Sequence, residues 1–331
     1  MGIPHILSAG QFSTSDIEEV FQTAQEMAGA LSGMTLHDPE TYTPKFRVAQ
    51  VLQGKTLACL FYEPSTRTSS SFIAAISKLG GHCIPITQGV QFSSISKGET
   101  LEDTILTLGQ YADAIVLRHP ETGAAKRAAK VSPVPIINAG DGIGEHPTQA
   151  LLDLFTVKQE MGRVHNLKVA FVGDLAHGRT VHSLIELLNR YEGNTFSLIS
   201  PWLLRLDRGV LSPEEDCLYN RIRDKITQAV HVVGGLVEAT SVLQEADVLY
   251  MTRVQRERFQ FDEAYREVKD SCLLTPELVA MMKPTARILH PLPRVNEIPR
   301  EIDSDPRAAY FRQVRAGLHV RMALLARVMG G

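Results

Sequence analysis

The chain has 331 residues, 44% of them hydrophobic, enough for two domains that each bury a core. Its 34 Lys and Arg stand against 37 Asp and Glu, a net charge of −3, which argues against an overall attraction to nucleic acid or to an anionic membrane. No apolar stretch approaches the ~20 residues that span a bilayer, and Met1-Gly2-Ile3-Pro4-His5 does not open a signal peptide, so a cytoplasmic protein is expected.

In chain order, Leu57–Tyr62 reads as a strand, Ser69–Leu79 as a helix stopped by Gly80-Gly81, and Cys83–Thr87 as a second strand. Cys59 and Cys83 sit inside these apolar runs, and with Cys217 and Cys272 they form no CxxC spacing. All four read as reduced core thiols, and no metal or cofactor is called for. Leu101, Ile105 and Leu108 give Leu101–Tyr111 a helical stripe. Ala114–Leu117 and Pro135–Asn138 are strands, and Pro147–Met161 is a helix with Leu151, Leu152 and Phe155 on one face. A second series follows, with Lys168–Val172 a strand, Thr180–Leu188 a helix and Phe196–Ser200 a strand. Ser212-Pro213-Glu214-Glu215 has the composition of a helix start. His231–Val233, Asp247–Thr252 and Arg287–Leu289 are short strands, Thr275-Pro276-Glu277 opens a helix between the last two, and Val320–Val328 is an amphipathic helix. Alternating strands and helices predict an α/β fold of two doubly wound domains with parallel sheets, joined by helices. The division is expected near residue 150, giving 1–150 and 151–307, with a C-terminal helix at about 308–331 returning to the first domain. A cleft between the domains is the expected ligand site.

The polar residues gather where strands end. Ser65-Thr66-Arg67-Thr68 follows the first strand and precedes its helix, so hydroxyls, a guanidinium and a helix N-terminus converge on one spot suited to a phosphate. N-capping alone would explain one of these hydroxyls and leave the rest. Arg118-His119-Pro120 ends the Ala114–Leu117 strand. His146-Pro147-Thr148-Gln149 follows a Gly-rich turn, with His146 and Gln149 on one helical face. Gly173-Asp174-Leu175-Ala176-His177-Gly178-Arg179-Thr180 nearly spells the nucleotide-binding GxxxxGK[ST] loop, but Asp174 is ill placed for a phosphate cradle and Arg179 replaces the lysine. Arg253 and Gln255 follow the Asp247–Thr252 strand in alternation, before the solvated charges Arg256-Glu257-Arg258. His290-Pro291-Leu292-Pro293-Arg294 follows the last strand, its backbone stiffened by two prolines. A polar loop runs from Ser93 to Lys97, before Gly98-Glu99-Thr100.

Taken together and in order, these motifs resemble the catalytic chain of the aspartate transcarbamoylase family, from about Phe61 to the C-terminus. The resemblance implies transfer of the carbamoyl group of carbamoyl phosphate to the amine of L-aspartate, in pyrimidine biosynthesis, without a cofactor. It implies that Ser65, Thr66, Arg67 and Thr68 hold the phosphate, and that Thr68, Arg118 and His146 contact the carbonyl oxygen. Gln149 would bind the carbamoyl amide together with the carbonyls of Pro291 and Leu292. Arg179, Arg253 and Gln255 would hold the aspartate carboxylates, while Ser93 and Lys97 would come from a neighbouring subunit of a homotrimer with shared active sites. Separate regulatory subunits or a larger pyrimidine-pathway complex are compatible with the resemblance. Many family members carry lysine where this chain has Ala176, a departure that bears on regulation rather than on the chemistry. The related ornithine enzymes place a cysteine where Pro291 stands, and a cationic acceptor would be repelled by Arg179 and Arg253.

Overall fold

The computed structural model describes residues 4–32, 48–87, 97–206, 218–256, 259 and 261–330. The chain divides into two compact units, one formed by Met1–Leu152 with Arg315–Gly331 and the other by Asp153–Val314. Each is an α/β unit on a parallel sheet.

The first unit is built on β1 (Thr56–Phe61), β2 (His82–Ile86), β3 (Ala114–His119) and β4 (Ile136–Asp141), in the order β2-β1-β3-β4, all parallel. Its helices are α1 (Thr14–Ser32), α2 (Thr66–Lys78), α3 (Leu101–Leu108), α4 (Ala124–Val131) and the start of α5 (Pro147–Met161). β1 is buried along nearly its whole length, as expected of a strand covered on both faces. Ala58, Leu60, Ile115 and Leu117 form one core with Ile105 of α3 and Ala128 of α4. Helix α2 ends at a left-handed Gly80, where a Cβ would stand 2.0 Å from the Ala49 carbonyl oxygen, a close approach only glycine allows. A strap at residues 4–11 lies along β4: Ile6 bonds Ile136 and Asn138 through the backbone, and Ile136 N–H donates to His5 Nδ1. The strap thereby covers an otherwise open sheet edge.

The second unit is built on β5 (Lys168–Val172), β6 (Thr195–Ser200), β7 (Ile226–His231), β8 (Val248–Met251) and β9 (Arg287–Leu289), in the order β7-β6-β5-β8-β9, again all parallel. Helices α6 (Arg179–Leu188), α7 (Leu218–Ile222), α8 (Thr240–Glu245), α9 (Asp262–Val268) and α10 (Pro276–Met281) connect them. The last helix, α11 (Tyr310–Met329), begins in this unit and ends in the first. Tyr250 on β8 is fully buried, and its hydroxyl donates to Asp153 Oδ2 at 2.6 Å.

Several boundaries differ from the sequence expectation. α2 starts at Thr66, not Ser69, because Ser69 N–H already bonds the Ser65 carbonyl, at 3.1 Å. β3 and β4 run on to His119 and Asp141, so Arg118 lies within a strand and much of the expected Gly-rich turn is extended. β7 starts at Ile226 and ends where a strand was expected to begin. As the outer strand it exposes Thr227, Gln228 and Ala229, and an exposed polar stretch carries little apolar signal. The Leu101 and Asp247 elements shift by a few residues, and the helix read at Val320–Val328 starts ten residues earlier, at Tyr310, while α5, β5 and β9 match throughout. The expected helix start at Ser212 lies outside the described residues. Helices α1, α4, α8 and α9 were not anticipated. Among the described residues Cys59, Cys83 and Cys272 are free thiols, and burial pushes Cys272 up to about 12. No helix among the described residues is long and apolar enough to cross a membrane.

In the first unit, His319 on α11 is 6% exposed. Burial, reinforced by the cations Arg315 and Lys78, lowers its pKa to about 4. The unfolded chain therefore binds this proton more readily than the folded one. The resulting stability is fully present above about pH 6.5 and is lost as pH falls towards 4, by roughly 2–3 kcal/mol. Urea unfolding across that range should show this loss, and His319→Gln should flatten it.

Candidate active site

In both sheets the strand order turns back on itself, between β1 and β3 in the first unit and between β5 and β8 in the second. At such a reversal the connections leave on opposite sides, and a crevice opens beyond the carboxyl ends of the two strands. The polar motifs flank these two reversals.

In the first unit β1 leads through Glu63-Pro64 into Ser65, the N-cap of α2. Thr66, Arg67 and Thr68 form the first turn, whose N–H groups have no partner within the helix. That turn carries no acidic residue, so the positive end of the helix is not neutralised from within. Ser65 is half-buried, Thr66 and Arg67 are exposed, and Thr68 is buried. Next to β1, Arg118 is the last residue but one of β3: it pairs in register with Phe61, its carbonyl accepts Tyr62 N–H at 2.9 Å, and its Nε stands 3.4 Å from Glu63. Ser65–Thr68 and Arg118 thus line one reversal.

β4 delivers His146 and Gln149. His146 is buried and precedes α5, its carbonyl accepting Ala150 N–H at 3.1 Å, and Gln149 lies in the first turn of that helix. Sequence reasoning missed what holds this segment. Asp141, also buried, accepts Glu145 N–H and Asn138 Nδ2 on Oδ1, at 2.8 and 3.2 Å, and Gly123 N–H on Oδ2, at 2.9 Å. One carboxylate therefore ties the loop after β3 to the loop after β4. Gly142 presses against the first loop; a Cβ there would lie 2.7 Å from the Pro120 carbonyl oxygen. An Asp inside a Gly-rich stretch was the only sequence signal for this tie. Lys97 is exposed and precedes α3, away from the β1–β3 reversal in chain order, and Ser93 lies outside the described residues.

In the second unit Gly173 follows β5 at φ +112°, where a Cβ would lie 2.3 Å from the Thr252 carbonyl oxygen. Thr252, just past β8, accepts Asp174 N–H on its hydroxyl at 3.1 Å and donates to the Val172 carbonyl at 2.9 Å. This clamps together the two chain segments at the second reversal. Asp174 is fully buried and accepts His177 N–H at 2.9 Å. Its carboxylate thus occupies the inside of the loop that resembles a nucleotide cradle. Leu175 and Ala176 both donate to the Leu204 carbonyl, and His182 Nε2 donates to the Leu175 carbonyl at 2.7 Å. So anchored, the loop delivers Arg179 as the first residue of α6, a position where the helix dipole adds to the guanidinium in favouring an anion. Arg253 and Gln255 follow β8 and are half-buried, whereas Arg256 is exposed and paired with Asp262. Pro291 and Leu292 follow β9, next to β8.

Among the described residues no group of three or more His, Cys, Asp or Glu is arranged to hold a metal ion. Guanidiniums, hydroxyls and helix N-termini dominate both reversals. They suit a reaction between anions in which the protein aligns its substrates and steadies charge.

Two parallel-sheet α/β units, each gathering guanidiniums, hydroxyls and a helix N-terminus at its strand ends, define a protein suited to binding small anions. The family profile described as "Aspartate/ornithine carbamoyltransferase, carbamoyl-P binding domain" matches residues 4–159, and that described as "Aspartate/ornithine carbamoyltransferase, Asp/Orn binding domain" matches residues 165–328. The chain belongs to the aspartate/ornithine carbamoyltransferase family. It is 44% identical over 329 residues to the aspartate carbamoyltransferase catalytic subunit of Clostridium perfringens, covering 98% of each chain. It is 47% identical over 327 residues to multifunctional protein URA2 of Saccharomyces cerevisiae, covering 98% of this chain but 14% of that protein's length. The structure of aspartate transcarbamoylase from Trypanosoma cruzi in complex with carbamoyl phosphate and aspartate superposes with a TM-score of 0.84 at 41% identity, over 98% of this chain and 96% of that one.

The clamp at the second reversal can be tested directly. Gly173→Ala should force β5 and Thr252 apart and lower stability by about 1–3 kcal/mol, read as a fall in the urea midpoint, because both the contact and the positive φ reject a side chain.

Proposed function

We propose that the chain is an aspartate carbamoyltransferase, joining the carbamoyl group of carbamoyl phosphate to the amine of L-aspartate to give N-carbamoyl-L-aspartate and phosphate in de novo pyrimidine synthesis. The observation that carries this reading is that the Ser65–Thr68 helix start and Arg118 follow two paired strands, β1 and β3, at the reversal of their sheet. The aspartate carbamoyltransferase relatives, matched over the whole chain, support the choice of reaction.

In this reading the first unit takes carbamoyl phosphate. Ser65, Thr66, Arg67 and Thr68 bind the phosphate, Gln149 and the carbonyls of Pro291 and Leu292 bind the amide, and Thr68, Arg118 and His146 donate to the carbonyl oxygen. The second unit takes aspartate through Arg179, Arg253 and Gln255. The aspartate amine attacks the carbonyl carbon, a C–N bond forms, and charge collects on the oxygen facing these donors. The C–O bond to phosphate then breaks, and the departing phosphate accepts the proton released by the amine. The residues in these roles need only align and stabilise, so no covalent nucleophile is required. Lys97, exposed on the described chain, and Ser93 act in a neighbouring subunit's site, which makes the active form a homotrimer; its place is the cytoplasm.

The purified protein should form carbamoyl aspartate from carbamoyl phosphate and aspartate, and Arg118→Ala should lower kcat by ~10²–10³, the usual cost of losing an oxyanion donor. Efficient use of ornithine in place of aspartate would overturn the acceptor assignment. Trimers re-formed from a mixture of Lys97→Ala and Arg67→Ala chains, each inactive alone, should recover activity in sites that draw both intact residues; an inactive mixture would place Lys97 in its own subunit's site or outside the chemistry.

A further inference from the structure

The segment after β9 is held by a side chain that no role above uses. His290 is 2% exposed, and its two ring nitrogens serve opposite ends of the same loop. Nδ1 accepts Leu292 N–H at 2.8 Å, and Nε2 stands 2.8 Å from Glu297 Oε1. Since Nδ1 accepts, the proton of the neutral ring must be on Nε2, which therefore donates to Glu297. Burial favours this neutral form by lowering the His290 pKa; the Glu297 carboxylate opposes that shift but does not cancel it. Glu297 is itself fully engaged, its Oε2 accepting Val295 N–H at 3.0 Å and Asn296 N–H at 3.1 Å. Behind the ring, His290 N–H donates to Gln313 Oε1, Gln313 Nε2 donates to Asp153, and Asp153 also accepts the Tyr250 hydroxyl. The histidine is thus fixed from the core of the second unit.

The held residue is an uncomfortable one. Leu292 has φ +56°, a left-handed conformation that a branched side chain rarely adopts without external support. The bond from Leu292 N–H to His290 Nδ1 supplies such support. It exists only while Nδ1 carries no proton, and that tautomer is selected by Glu297.

We propose that His290 and Glu297 are positioning residues for carbamoyl phosphate recognition: Glu297 selects the ring tautomer that lets His290 hold Leu292, and so aims the Pro291 and Leu292 carbonyls that accept from the carbamoyl amide. The inference rests on the proposed amide-binding role of those two carbonyls. Glu297→Gln is nearly the same shape, but its amide cannot meet both demands. If its oxygen accepts from Val295 and Asn296, its NH₂ faces Nε2, the ring proton must move to Nδ1, and Nδ1–H then meets Leu292 N–H. If the amide turns over, the two backbone N–H groups face an NH₂. Either way a buried donor loses its acceptor.

The test compares two ligands of the same site. Acetyl phosphate has a methyl where carbamoyl phosphate has the amide nitrogen, so it offers the carbonyls nothing to accept. In Glu297→Gln, KM for carbamoyl phosphate should rise ~10-fold while the inhibition constant of acetyl phosphate stays unchanged, so the preference for carbamoyl phosphate falls by the same factor. A pair of variants isolates the tautomer. His290→Asn can still accept Leu292 N–H and should keep most of the preference, whereas His290→Gln can reach only Glu297 and should lose it. Equal weakening of both ligands in Glu297→Gln, no weakening of either, or a preference kept by His290→Gln and lost by His290→Asn would each overturn the proposal. A wild-type protein that makes no carbamoyl aspartate would instead refute the underlying reading, whatever the variants do.

Discussion

Parallel strands that return on opposite sides of one sheet leave a gap where their order turns; Ser65–Thr68 and Arg118 lie at one such gap, and Arg179 and Arg253 at the other. The constraint is a close backbone approach. At one reversal Arg118 and Tyr62 share a hydrogen bond across β1 and β3, and at the other Gly173 sits against the Thr252 carbonyl with no room for a side chain. A side chain at position 173 would widen the second gap and carry Arg179 and Arg253 with it. The polar residues can be few because the backbone does most of the placing.

Electrostatics follows from that placement. The chain is close to neutral overall, yet α2 and α6 both begin at these gaps with an arginine in the first turn and no acid there. Positive potential is thus concentrated where helix ends and guanidiniums coincide, while the neighbouring carboxylates Asp141 and Asp174 are turned inward onto backbone N–H groups. Turned inward, these acids brace the loops in which they sit.

Much of this was legible in the residues themselves, for reasons that differ by element. β5 and β9 each follow a leading cation with a short run of buried apolar residues, and α5 carries Leu151, Leu152 and Phe155 at helical spacing with a proline at its start, so local pattern sufficed. α4 is half alanine, the rest being lysine, arginine and one valine, and β7 shows solvent its polar residues, so neither advertises itself through large apolar side chains. The donors at strand ends were visible because they cluster in sequence. What braces them was not: Asp153 finds Tyr250 and Gln313 far along the chain, and Asp141 joins two loops whose proximity only the sheet order creates. Helix α2 shows a milder failure. Ser65–Thr68 looked like a loop because serine and threonine favour caps, yet Thr66, Arg67 and Thr68 are the helix's own first turn.

The strap over β4 bears on how the chain reaches this state. Ile6 leaves the ribosome well before Ile136–Asn138, the residues it must bond, so during synthesis the strap waits without its strand. Until the strap docks on β4, that edge of the nascent sheet is open to pairing with other chains. Closing it is a non-local step, and such steps are slow. Ala9 N–H also donates to Glu145, the residue before His146, so the loop that leads into α5 is tied to a segment made well before it.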